Sequence, residues 1–387
     1  MSQVPTIVVI GGSFAGINAI KKIDTTLKTK ANVVLVEEKE AFFLTIAALR
    51  SVTEPGFAAH TWIPYTSLFQ NNPASKIIKA RATEVHPNQV KLNNGETLPF
   101  DYLIIATGTT MPAPGQTQKT EKADGIAESE SILAALKSAN SVTIVGGGIV
   151  GVELAGEIAT DFPTKKVTII HSGATLMNRN GLKPKAMNVV NQQLAKLNVT
   201  VLLNERVVPE YDGSILPNHG SFNLTPSTIK TSSGKTIESD VQFVCTGAGK
   251  PNSSLAKSLG GVLNEEGFIK VGLTGQVQGF TNIFAIGDVS TLDPLKLAYL
   301  ANGQGTLIGE NVVSLVNKPT AALKVYKPME PGSFVILSIG RNGGVLQSPI
   351  GVFGPRVPKA IKSKDLFVAS KWKELNLTPT YKPPTSQ

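Results

Sequence analysis

The apolar positions of this 387-residue chain fall into two kinds of run. Short β-branched stretches read as buried strands, and longer stretches with apolar residues three or four apart read as helices. Residues 6–10 form the first strand. Residues 14–28 come next as a helix with Phe14, Ile17, Ile20 and Ile23 on one face. Val33 to Val36 make the next strand, which ends at Glu37. Together they form a βαβ unit of about thirty residues. The pattern then recurs: strand 142–145, helix 151–160 and strand Val167 to Ile170. Each unit also owns a later buried strand that ends in a glycine turn. In the first it is Phe100 to Gly108, closing on Ala106-Thr107-Gly108; in the second it is Val241 to Gly247.

Between these units the pattern changes. Alternating segments over 76–99, with a turn at Asn93-Asn94-Gly95, predict a small antiparallel insert. A Pro/Gly/Gln/Lys-rich stretch at 111–125 reads as a linker. Residues 281–288 form a buried strand that ends in Gly287-Asp288. Beyond about residue 325 come short strands and turns, then a basic tail. The predicted fold is α/β, with two Rossmann-like dinucleotide-binding domains, the second inserted into the first, and a small C-terminal domain. The expected boundaries are 1–115 and 248–325 for the first domain, 116–247 for the inserted one, and 326–387 for the last.

In each unit a glycine-rich loop joins the first strand to its helix. One loop reads Gly11-Gly12-Ser13-Phe14-Ala15-Gly16, and the other Gly146-Gly147-Gly148-Ile149-Val150-Gly151. Such a loop lets the chain turn tightly and lets backbone N–H groups approach a pyrophosphate at a helix N-terminus. The second matches G-x-G-x-x-G through Gly146, Gly148 and Gly151, whereas Ser13 replaces the middle glycine of the first. Ordinary glycine turns are the bland alternative, but two loops with these flanks imply two dinucleotides and electron transfer between them. Glu37 lies 21 residues past Gly16, where a carboxylate can accept the ribose hydroxyls of an adenosine. A solvated acid in the run Glu37-Glu38-Lys39-Glu40 is the alternative. The second unit has His171 at the corresponding place. Without an acid there, a 2′-phosphate is not repelled, so NADPH is expected beside NADH. Gly287-Asp288 puts a carboxylate at the C-terminal edge of a sheet, where open α/β folds bind ligands.

Composition narrows the chemistry. The chain is 41% hydrophobic and 17% charged, which suits a globular enzyme. Its one cysteine, Cys245, excludes a disulfide framework and a dithiol redox pair within the chain. The four histidines, His60, His86, His171 and His219, show no ligand spacing, so no metal site is expected. A net charge of +9 favours acidic partners such as phosphorylated cofactors, an anionic membrane surface or nucleic acid. The chain enters its first strand at once, without a leader pattern, and Ser2 is not a myristoylation glycine. No apolar run reaches the length of a membrane span.

In order and spacing these elements resemble the two-dinucleotide-binding flavoprotein superfamily over nearly the whole chain. Shorter motifs resemble its ferroptosis-suppressor branch, also called apoptosis-inducing-factor-like and mitochondrion-associated, which is similar to type II NADH dehydrogenases. They are Ala47-Ala48-Leu49-Arg50, Gly151-Val152-Glu153-Leu154-Ala155, Lys296 to Ala301, Ser338 to Asn342 and Lys362 to Phe367. The resemblance implies FAD on the first loop, NADH or NADPH on the second, and reduction of a quinone of the ubiquinone type. It implies that Gly11, Gly12, Ser13, Phe14, Ala15 and Gly16 line the FAD pyrophosphate and that Glu37 takes the ribose. Arg50 would face the FAD phosphates, Asp288 would hold the ribityl chain, and Lys296 and Ala298 would lie near the isoalloxazine. Ala106, Thr107, Gly108, Gly247 and Gly287 would complete the cofactor sites. Animal members carry a myristoylated glycine at position 2, from which Ser2 departs. The matching location is cytoplasmic, peripheral at the mitochondrial outer membrane or at lipid droplets.

No Ser-His-Asp constellation appears, and a flavin needs none. Glu153 is the candidate for touching the nicotinamide or relaying a proton; an acid that only caps or pairs is the other reading. Lys296 could stabilise a reduced, anionic ring. The tail from Arg356 to Trp372 interleaves Lys359, Lys362, Lys364 and Lys371 with Val357, Ile361, Leu366, Phe367 and Trp372. It can lean on anionic lipid, with Phe367 flanking a quinone, or pack its apolar side inward. Two other activities fit the same chain: a reductase for a protein electron acceptor, and a basic effector that binds nucleic acid without sequence preference.

Overall fold

The structure is a computed structural model that describes residues 4–177, 181–208, 222–247 and 249–383. Ser2 and His219 lie outside the described residues. The chain divides into two compact units. The first comprises Met1–Phe43, Pro64–Thr110 and Gly249–Met329; the second comprises Leu44–Ile63, Met111–Ala248 and Glu330–Gln387. Residues 330–387, expected to form a small terminal domain, thus belong to the second unit, as does the segment around Arg50.

The first unit is built on a five-stranded parallel sheet. Its order is Ile283–Ala285, Tyr102–Ile105, Thr6–Ile10, Asn32–Glu37 and Lys76–Lys79. Val8, Leu103, Ile105 and Ile283 are fully buried, as expected of strands covered on both faces. Residues 76–79, expected in the antiparallel insert, instead extend the parallel sheet at its edge, pairing Glu37 with Lys79. The insert itself is the three-stranded sheet Ala82–His86, Gln89–Leu92 and Thr97–Pro99. The helix Phe14–Leu27 packs on the 20-residue helix Ala298–Asn317. Contact is close because Gly305 and Gly309 face the backbone of Ala15 and Ala19; a Cβ at Gly305 would collide with the Ala15 carbonyl.

The second unit repeats the plan. Thr200–Leu202, Lys166–Ile170, Ser141–Val145 and Val241–Val244 run parallel, and Phe222–Asn223 adds an antiparallel edge. The helix Lys122–Ser138 starts inside the stretch expected to be a linker, and Gly125 there sits against the Trp62 indole, leaving no room for a Cβ. Its hydrophobic core joins the sheet to Leu49, Val52, Val335, Leu337 and Val345. This explains why both the 44–63 segment and the antiparallel sheet Val335–Ile339, Gly343–Ser348 and Gly351–Phe353 belong here. Among the described residues no helix is long and apolar enough to cross a membrane.

Candidate functional site

Strand register makes the two glycine loops equivalent atom by atom. Ile10 pairs with Val36, and Val145 pairs with Ile170. The next amides continue both ladders: Gly11 donates to Val36 O at 2.9 Å and Gly146 to Ile170 O at 2.8 Å. On the other side Ala106 donates to Ile10 O and Cys245 to Val145 O. Gly11 and Gly146 have φ of +101° and +115°, and a Cβ on either would collide with the carbonyl of Ala106 or of Cys245. Gly16 and Gly151 face the carbonyls of Gly11 and Gly146 with the same intolerance. These glycines are therefore demanded by the turn and by helix–strand packing.

The middle position is different. Ser13 and Gly148 are the N-caps of their helices, both with extended backbone. A Cβ at Gly148 meets nothing within 4 Å. The fold itself thus accepts a serine there, which accounts for Ser13. Neither helix carries an acid in its first turn, so the partial positive charge of each N-terminus is left for an anion. Phe14 is buried and meets Phe42 edge-on at 5.3 Å, which fixes how the first helix starts.

Glu37 and His171 occupy the same place in the two units, one residue past the pairing partners of Ile10 and Val145. Glu37 accepts from Gly12 N–H at 2.6 Å and from Lys39 N–H at 2.8 Å. Desolvation raises its pKa against the lowering by those amides. His171 Nδ1 accepts from Gly147 N–H at 3.2 Å. Its Nε2 is buried without a hydrogen-bond partner, which is costly unless a ligand meets it. Both observations fit a dinucleotide: a carboxylate aimed beside the first loop, an imidazole N–H beside the second.

Around the first loop, Ala106, Thr107 and Gly108 form the strand-end turn, with Gly108 at φ +66°. Asn252 pins it by accepting from Thr107 Oγ1 at its carbonyl and donating to Thr107 O, at 2.7 and 3.0 Å. Gly287, at φ +71°, lies against Ala15, and its amide donates to Gln304 Oε1 at 2.7 Å. The adjacent Asp288 is half-buried; desolvation raises its pKa, opposed by Lys296 and a Thr109 hydrogen bond. Lys296 donates to the carbonyls of Ser290 and Asp293, both at 2.7 Å, and lies over the Phe268 ring. Burial lowers its pKa while Asp288 and Asp293 oppose. Ala298 opens the long helix. No local spacing in the sequence marks Asn252 or Gln304 for these contacts.

In the second unit Gly247 is exposed at φ +91°, the counterpart of Gly108. The Cys245 thiol is pushed up to about 12 by burial. Glu153 Oε1 accepts from Ser338 N–H and Oγ at 2.9 Å and from Lys362 Nζ at 2.7 Å. One turn on, Glu157 takes Arg50 through two bonds at 2.8 and 2.9 Å. Arg50 is fully buried and also donates to the carbonyls of Ser363 and Lys364. Expected at the flavin phosphates, its guanidinium is thus drawn into a buried tie within this unit. The tail is less of a basic surface than its sequence suggests. Lys362 and Lys371 are buried on Glu153 and Glu374, while Leu366, Val368 and Trp372 pack inward. Trp372 Nε1 donates to His60 O at 2.9 Å. Phe367 is half-buried, with a left-handed backbone at the start of the helix Val368–Glu374. Ile350 and Ile361 stay exposed, at 86% and 48%.

Known proteins resemble this chain in sequence, and others in fold. The pyridine nucleotide-disulphide oxidoreductase family profile matches residues 5–305. Apoptosis-inducing factor homolog B of Dictyostelium discoideum is 35% identical, covering 97% of this chain and 98% of its own. Ferroptosis suppressor protein 1 of Homo sapiens is 32% identical, covering 96% of each. NDH2 of Plasmodium falciparum, solved with NADH, superposes with a TM-score of 0.71 over the full length of both chains at 15% identity, a likeness of fold. The chain belongs to the pyridine nucleotide-disulphide oxidoreductase family, among the relatives of apoptosis-inducing factor homologues and ferroptosis suppressor protein 1, and is an FAD-dependent oxidoreductase with NAD(P)H as co-substrate.

Proposed function

We propose that the chain is an NAD(P)H:quinone oxidoreductase without a cysteine relay. The observation that carries this is the pair of equivalent loops in a chain whose single thiol is held protonated. A disulphide couple needs two cysteines, so electrons leave for an acceptor other than a protein dithiol of this chain. Bound FAD would supply two-electron chemistry, accepting a hydride equivalent from NAD(P)H with one proton from solvent and passing two electrons and two protons to a quinone to give the quinol.

The chain's residues supply the rest. The 11–16 loop with Glu37, the 106–108 turn, Gly287 and Asp288 hold the flavin nucleotide. Gly146, Gly148, Gly151, His171 and Gly247 hold NAD(P)H. Lys296, tied down by two carbonyls and partly desolvated, presents a fixed positive charge. Glu153, with Lys362 on the same oxygen, can hold or move a proton. Phe367, the exposed Ile350 and Ile361, and the exposed Arg356 and Lys364 all come from residues 350–367 and offer apolar and basic side chains to a lipid-borne quinone.

The test is anaerobic reduction of the flavin by NADH and by NADPH, then mixing with a ubiquinone analogue or with ferredoxin. Fast reoxidation by the quinone, and slow reoxidation by ferredoxin, is expected. The reverse order would discard the quinone. Phe367→Ala should slow only the quinone half-reaction.

A further inference from the structure

The central glycine is pinned on both sides in both loops, but by different donors. In the second, Gly147 N–H donates to His171 and Gly147 O accepts from Met177 N–H at 2.8 Å. In the first, Gly12 N–H donates to Glu37 and Gly12 O accepts from the Tyr65 hydroxyl at 2.7 Å. One loop relies on a backbone amide, the other on a side chain 53 residues away. Tyr65 is 6% exposed, and burial beside Glu37 raises its pKa well above 10, so the hydroxyl stays a donor. A Cβ at Gly12 would lie 2.6 Å from that oxygen, so the tyrosine rests directly on the loop.

The carbonyl of Gly12 and the N–H of Ser13 belong to one planar trans peptide and point in opposite directions. A hydrogen bond that fixes the carbonyl therefore fixes the amide. Ser13 is exposed and caps the helix Phe14–Leu27, where the first N–H groups have no intrahelical acceptor. We propose that Tyr65 is a positioning residue for the FAD pyrophosphate: by holding the Gly12 carbonyl it turns the Ser13 amide toward the phosphate oxygens. This rests on the assignment of the first loop to FAD.

The experiment tracks FAD rebinding to the flavin-free full chain by flavin fluorescence, with ADP and adenosine as competitors. Reading the flavin confines the signal to the first loop. Tyr65→Phe should raise the dissociation constant for FAD and the inhibition constant for ADP by about 5- to 30-fold, the cost of an unsatisfied buried carbonyl. Adenosine, which has no phosphate, should compete as before. Unchanged FAD and ADP binding, or an equal loss for adenosine, overturns the proposal. If Tyr65→Phe does not fold, 3-fluorotyrosine at this position provides a stronger donor of nearly the same shape. ADP should then compete more tightly and adenosine unchanged; no difference for ADP overturns it. A parent chain that rebinds no FAD overturns the assignment of the loop itself, which separates the two failures.

Discussion

His171→Asp recasts the second nucleotide site in the form of the first. The native imidazole accepts from Gly147 N–H at 3.2 Å and buries an unpartnered Nε2. The equivalent carboxylate, Glu37, accepts from Gly12 N–H at 2.6 Å. An aspartate at 171 should keep the loop contact and gain a ribose acceptor, so NADH binding should change by no more than a few-fold. For NADPH the 2′-phosphate would lie beside the new charge. Two unit charges at roughly 4 Å repel by about 1 kcal/mol in water and about 4 kcal/mol at an effective dielectric constant of 20. His171 is half-buried, so a value between these is expected. The KM for NADPH should rise by roughly 10- to 300-fold, about 1.4 to 3.4 kcal/mol. The assay is steady-state turnover with each nicotinamide at fixed acceptor, supported by equilibrium titration of both. Equal changes for NADH and NADPH would refute the placement of His171 at the adenosine ribose.

The glycine loops give a paired test: Gly148→Ser should fold with the parent's melting temperature, because nothing meets its Cβ, whereas Gly146→Ala, at φ +115° against Cys245 O, should fold poorly or lose several degrees. Cys245→Ala should keep NAD(P)H oxidation within a few-fold, since a thiol pushed up to about 12 is not a nucleophile at neutral pH; loss of turnover with flavin retained would show otherwise. Glu157→Gln leaves the fully buried Arg50 without its counter-charge and should cost about 3–5 kcal/mol in urea unfolding. A change below about 1 kcal/mol would mean that the Ser363 and Lys364 carbonyls alone satisfy the guanidinium.

The glycine loops, their strands and their helices were legible in the sequence because each arises from local rules. A β-branched run makes a strand, and a glycine is required where the chain turns left-handed or where strand meets helix. The repeat of that pattern by itself implies two nucleotides. The positions of Glu37 and His171 beside the loops were legible for the same reason, since strand register fixes their distance from the glycines. Segment 76–79 was misplaced because a short alternating run does not say whether its partner runs parallel or antiparallel.

Contacts between distant segments were decided only by the tertiary structure. Tyr65 on Gly12, Asn252 on Thr107 and Gln304 on Gly287 are hydrogen bonds to backbone groups, and any donor or acceptor at the right point in space would serve. Nothing in the neighbouring sequence needs to announce it. The tail shows the same limit from the charge side. Lys362 and Lys371 read as a basic surface, yet the fold buries both on carboxylates while Ile361 remains exposed. A charge can leave water when a partner and hydrogen bonds replace the solvent, and only the folded chain brings that partner near. Local sequence thus determined which backbone shapes form; the packing of segments as much as 327 residues apart, as where the Tyr381 hydroxyl meets Glu54, decided which side chains hold them.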